Sequence, residues 1–81
     1  VKTLYRIGDK AEAQEFAVLE GFEGADIPLK NLELKKNILI GGIVRNGQFI
    51  LPQGESQLSV GDRVIVISEA KHITQLSQIL K

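Results

Sequence analysis

No cysteine and no methionine occur among the 81 residues. Without cysteine there is no disulfide, no thiolate to ligate zinc and no thiol nucleophile, a composition at home in a reducing cytosol. Without methionine even at position 1, the chain has either lost its initiator or is a piece of a longer protein, and we expect the second. An excess of either charge is missing too. Ten basic and ten acidic residues cancel, no basic stripe emerges, and binding of nucleic acid by charge is disfavoured. No apolar run is long enough to span a bilayer, no signal-peptide pattern opens the chain, and there is no internal repeat or low-complexity stretch. What remains is one domain of modest core. A chain this size buries only about 60–65% of its unfolded surface and is marginally stable unless something assists it.

The strongest local signal is a hairpin. Asn46-Gly47 stands between two β-branched runs, and both residues tolerate the positive φ of a two-residue type I′ turn. That turn pairs Arg45 with Gln48, Val44 with Phe49, Ile43 with Ile50 and Gly42 with Leu51. Strict alternation puts Ile38, Ile40, Val44, Phe49 and Leu51 on one face, and Leu39, Ile43 and Ile50 on the other. Neither face is polar, so something covers both.

Around the hairpin, Val1 to Ile7 reads as a short strand and Gly8-Asp9-Lys10 as a turn. A second strand is favoured from about Ala13. After a glycine-broken loop, Pro28 suits the first turn of a short helix with Leu29 and Leu32 on one face. Gln53 to Gln57 is a polar connection, Leu58 and Val60 dip into the core, and Gly61-Asp62 turns into a strand from Arg63 to Ile67. Ser68 is expected to cap a final helix striped by Ile73, Leu76 and Leu80 at i, i+3 and i+7, with Ile79 beside the stripe. The predicted fold is α+β: a small, mostly antiparallel sheet, a short helix after the first strands and a C-terminal helix. One helix shields one face, and no second helix is long enough for the other. Self-association through the face bearing Leu39, Ile43 and Ile50 answers this, with a curled sheet or barrel as the rival.

Candidate chemistry is thin. His72 is the single histidine, without an orienting partner in the pattern, and reads as a solvated surface residue. No serine lies in a Gly-x-Ser-x-Gly elbow. Glu20, Glu23 and Asp26 crowd one loop, but their spacing is not that of an EF-hand. Gly41-Gly42 in mid-strand marks a bulge or the close approach of another backbone or a ligand. Arg45 is a lone charge at the rim of an apolar face, either solvated or the anion contact of a pocket. No metal site and no catalytic set emerge.

The succession Leu29-Lys30-Asn31-Leu32-Glu33-Leu34, Ile43-Val44-Arg45-Asn46-Gly47, Ile50-Leu51-Pro52-Gln53-Gly54 and Val60-Gly61-Asp62-Arg63-Val64 resembles the TrkA C-terminal family, also called the RCK C-domain. The likeness covers roughly residues 11–81, and residues 1–10 resemble the lead-in strand or linker of Trk-type regulators. It implies a non-enzymatic regulatory module of potassium uptake, cytoplasmic and peripheral to the inner face of the cell membrane. Implied partners are a second copy, as a homodimer, a membrane potassium transporter subunit and a small-molecule or nucleotide effector in the cleft between copies. The alternative is a purely structural dimerisation module without a ligand. No cofactor is implied in this chain; NAD or another nucleotide would sit on a Rossmann-type domain preceding it. The expected effector contacts are Leu39, Ile43, Ile50 and Pro52 as apolar walls and Arg45 as the polar contact. Relatives that bind cyclic diadenylate have an arginine and an asparagine near the places of Lys35 and Leu39, so the likeness does not extend to that ligand. Calcium-gated relatives use carboxylates outside the matched motif. Asp26, where the family has a small residue, is read as a helix cap.

Overall fold

The computed structural model describes residues 2–69 and 72–81, with side-chain surroundings from residue 6 onward. Val1, Ala70 and Lys71 lie outside the described residues, as do the side chains of Leu4 and Tyr5 in the first predicted strand. Five strands form one antiparallel sheet: β1 (Lys2–Ile7), β2 (Ala11–Ala17), β3 (Ile38–Arg45), β4 (Gln48–Ile50) and β5 (Arg63–Glu69), in the order β1-β2-β5-β3-β4. The hairpin turn forms as its residues dictate, with Asn46 at φ 53° and Gly47 at φ 78°. Its register is Arg45 to Gln48, Val44 to Phe49 and Ile43 to Ile50; the ladder stops there, short of Leu51. Lead-in strand β1 belongs to the same sheet, paired along β2.

The bulge at the glycine pair changes which residues share a face. Ile40 pairs with Val66, yet Gly42 already pairs with Ile65, so one residue of β3 is extra. An extra residue inverts the side-chain alternation beyond it. Ile40 and Ile43 therefore point the same way, into the core, beside Val64 and Val66. Leu39 points to the opposite side, opposite Ile67, and is 60% exposed. The expected grouping of Leu39 with Ile43 and Ile50 is thus corrected: Ile43 is fully buried and Ile50 packs against the core.

One side of the sheet is covered by the chain's own irregular segments. Phe16, Val18, Ile40, Ile43, Leu58, Val64, Val66, Ile73, Leu76 and Ile79 form one buried cluster. Leu58 dips in as expected; Val60 does not, at half exposure. No α-helix is found among the described residues. Where a short helix was expected there is a single 3₁₀ turn, Leu29–Asn31, and Pro28 stands before it in extended conformation. Asp26 is not its cap. It sits at φ 63° with its N–H donated to Leu58 O (2.7 Å), a left-handed position that suits a small residue and that aspartate tolerates.

The expected C-terminal helix is absent as well, because β5 runs on to Glu69 and buries Ser68 inside the strand. Residues 72–81 are irregular apart from one 3₁₀ turn, Leu76–Ile79, closed by a reciprocal Gln75–Gln78 cap. Backbone pairing takes the place of helical bonds there: Lys35 N donates to Ile79 O (2.8 Å) and Lys81 N to Glu33 O (3.0 Å). Of the stripe foreseen at helical spacing, Ile73 and Leu76 are buried all the same and Leu80 is half-buried, while Ile79, expected beside the stripe, is fully buried.

Candidate functional site

Arg45 is engaged within its own chain. After the bulge its side chain runs toward the turn before β5, where Nε donates to Asp62 Oδ1 (2.9 Å) and one terminal nitrogen to Asp62 Oδ2 (2.8 Å) and to Gln57 O (3.0 Å). Asp62 Oδ2 also accepts from Ser59 N (2.9 Å), and only 3% of Asp62 is exposed. This two-pronged ion pair ties the β3–β4 hairpin to residues 57–62. Its hydrogen bonds hold the Asp62 carboxyl below the usual carboxylate range and raise Arg45 above its ordinary value. Arg45 therefore acts as a clamp between the hairpin and the turn before β5.

The other predicted wall residues separate. Ile43 and Ile50 line the core, whereas Leu39 and Pro52 come together. They flank an open groove of about 370 Å³ with Leu29, Lys30, Leu34, Ile40, Gln53 and Gly54. The groove exists because β4 is only three residues long. Beyond the bulge it leaves the first half of β3 laddered to β5 on one side alone. A strand edge with backbone donors and acceptors, set between apolar walls, suits a flat ligand carrying hydrogen-bonding groups. Lys30 is the one charged lining residue, and its Nζ meets Glu55 Oε2 at 2.6 Å on the surface.

A second groove of about 440 Å³, bounded by Phe16, Leu19, Phe22 and Leu76, gathers none of the predicted residues. Glu20, Glu23 and Asp26 are all exposed, and no grouping of three or more metal-binding side chains occurs among the described residues. His72 has a neighbour that the sequence hid: its Nδ1 lies 3.3 Å from Glu12 Oε1, sixty positions away, and Glu12 also pairs with Arg6 (3.2 Å).

Gln14 was not anticipated at all. Fully buried on β2, its Nε2 donates to Ile73 O (2.8 Å) and its Oε1 accepts from Ile73 N (3.3 Å), so that a side chain stands in for a missing strand partner. A glutamine on the core-facing register of a strand is the one signal that could have found it. No described helix is long and apolar enough to cross a membrane.

Similar proteins agree with this architecture. The Trk system potassium uptake protein TrkA homolog of Archaeoglobus fulgidus is 35% identical over 72 residues, 89% of this chain and 16% of that protein. TrkA homolog 1 of Methanosarcina mazei is 30% identical over 82 residues, 100% of this chain and 18% of its own length. TrkA of Azorhizobium caulinodans is 33% identical over 72 residues, 89% of this chain and 15% of that protein. The chain thus spans less than a fifth of each of these relatives. A solved RCK domain with cda superposes with a TM-score of 0.59 at 35% identity, covering 67% of this chain and 76% of that one. Residues 13–81 match the TrkA-C domain, and with the clamp, the bulged sheet and these relatives in view, the chain belongs to the TrkA-C domain family.

Proposed function

We propose that this chain is a non-catalytic regulatory domain of a potassium-uptake system, cytoplasmic, acting beside a membrane transporter subunit. Copies pair, and a small effector seated in the Leu39–Pro52 groove favours one pairing geometry, a population shift that reaches the transporter. One observation carries the reading: Leu39 lines the groove and also stands on the uncovered face of the sheet, so a ligand in the groove touches the surface available to a second copy. The kinship with TrkA potassium uptake proteins supports the transport system, and the likeness to an RCK domain solved with cda supports a small effector.

Calorimetric titration tests this with cda, with mononucleotides and with divalent ions. The expected result is a saturable heat for one nucleotide that disappears in Leu39→Asp and survives in Leu19→Asp, which alters an exposed side chain outside the groove. Silence from every probe would leave the second reading, a structural pairing module. That reading is favoured by one observation, the ion pair of Arg45 with Asp62, which engages the guanidinium within its own chain.

A further inference from the structure

We infer that the hollow between Lys35, His72 and Gln78 is a binding site for a phosphate group, free or at the end of a monoester. The bound group would fasten the C-terminal segment to the backbone beside Lys35. This hollow shares no lining residue with the Leu39–Pro52 groove and stands apart from the regulatory reading above.

The hollow measures about 270 Å³ and is walled by Lys35, His72, Ile73 and Gln78, none of them acidic. Lys35 is half-buried, and its ammonium has no carboxylate partner among the described residues. Arg6, Lys30, Arg45 and Arg63 each have one within 3.2 Å. The bond from Lys35 N to Ile79 O (2.8 Å) roots this side chain beside the last turn. Gln78 is held in one orientation. Its Oε1 accepts from Thr74 N (2.8 Å) and Gln75 N (3.4 Å), so Nε2, with no partner among the described residues, is the atom left to donate to a ligand.

His72 completes the set. Its Nδ1 lies 3.3 Å from Glu12 Oε1, and a carboxylate only accepts, so Nδ1 carries the proton and Nε2 stays open. The charged groups around the ring, among the described residues, are Glu12 on β2, Arg6 on β1, which shares that carboxylate at 3.2 Å, and Lys35. Glu69 ends β5 opposite Ala11 and therefore lies on the other face of the sheet from Glu12. The Leu76–Ile79 turn brings no titratable group.

The polar groups select the ligand. They arrive from separate segments, which suits a tetrahedral anion. A flat carboxylate is matched by the planar fork of arginine, and the hollow has none, whereas lysine binds phosphate as a point charge. A phosphate monoester carries a charge of about −1.5 to −2 at pH 7; Lys35 offsets part of it and a protonated His72 the rest. When the ring is neutral, Nε2 accepts from the P–OH of a phosphate that keeps one proton. When it is charged, Nε2 donates. Sulfate has no proton to give, so only the charged ring holds it well.

Nuclear magnetic resonance titration of the nitrogen-labelled chain with inorganic phosphate, glycerol phosphate and sulfate, at constant ionic strength, tests the site. Saturable shifts in the millimolar range are expected at the Gln78 side-chain amide and at the His72 and Ile73 backbone. Lys35→Gln should weaken binding about tenfold. Gln78→Glu, which keeps an acceptor for Thr74 N and Gln75 N, should abolish it, and Lys30→Gln and Leu39→Asp should leave it unchanged. Sulfate is expected to bind more tightly as pH falls from about 8 to about 5, and His72→Gln to lose that dependence. A stronger response to glycerol phosphate marks the group as the end of a larger ligand and equal responses mark the free ion; either supports the site. Should Gln78→Glu unfold, Lys35→Gln still decides, since it removes no backbone bond. Failure of all three anions to saturate would overturn the proposal, leaving Lys35 as a stem that covers apolar surface. Equal weakening by Lys35→Gln and Lys30→Gln would overturn it too, as general charge attraction.

Discussion

Asp62 and Arg45 carry much of the local logic of this protein. Two short stretches that the sequence presents separately, Ile43-Val44-Arg45-Asn46-Gly47 and Gly61-Asp62-Arg63, are the two halves of one clamp. The folded-state pKa of Asp62 is depressed, so its contribution to stability is fully present above the unfolded value of about 3.9 and is lost as pH falls through the lower folded value. Thermal midpoints measured from about pH 6 downward are expected to fall across that acid window. Asp62→Asn should begin from a lower midpoint and show a shallower acid decline. The same scale separates Ile43 from Leu39. Ile43→Ala empties a fully buried site and is expected to destabilise by about 2–5 kcal/mol. Leu39→Ala, measured at a concentration where the chain is single, should stay within about 0.5 kcal/mol. Denaturant titration distinguishes them. Both are aliphatic residues in one strand, and composition alone cannot rank them.

Among the elements, the hairpin was legible in its turn and in the three pairs nearest it, because Asn46-Gly47 sets the register from inside the local sequence, whereas the expected pair of Gly42 with Leu51 does not form. The bulge was half legible. Two glycines in mid-strand signal one, but its position relative to β5 depends on a strand twenty residues away. Gly42→Val tests it: the new side chain must displace the Phe49 ring, and a loss of about 1–3 kcal/mol is expected from overpacking, read by thermal melting. The helices were misread for a physical reason. Apolar residues such as Ile73 and Leu76 bury equally well from an irregular segment with one 3₁₀ turn, and periodicity cannot see the partners that make such a path favourable. Here those partners are Gln14 and the backbone of residues 33–35. Gln14→Leu should leave the Ile73 N–H and C=O without their mates, lowering stability by about 1–3 kcal/mol. It should also speed amide hydrogen exchange at Ile73 ahead of the strands.

For the molecule as a whole, the governing fact is a one-layer cover on a two-faced sheet. Domains ordinarily stack two layers around one core. This chain supplies the second layer on one side from loops, and its other side carries Leu39, Phe49, Ile65 and Ile67. If copies pair there, the thermal midpoint rises with protein concentration, since association draws the folded state forward by mass action. Scanning calorimetry over a hundredfold dilution should register that rise for the wild-type chain and none for Phe49→Asp.

Alternation, turn chemistry and the absence of long helical patterns were enough to establish an antiparallel sheet with too few helices to cover it, because those signals act between neighbours along the chain. Which residues face the core, what Arg45 holds and where a groove opens depended on the offset between β3 and β5 and on β4 stopping after three residues. Those are contacts between distant segments. A single extra residue reverses every side chain beyond it, so the functional surface follows from the assembled sheet.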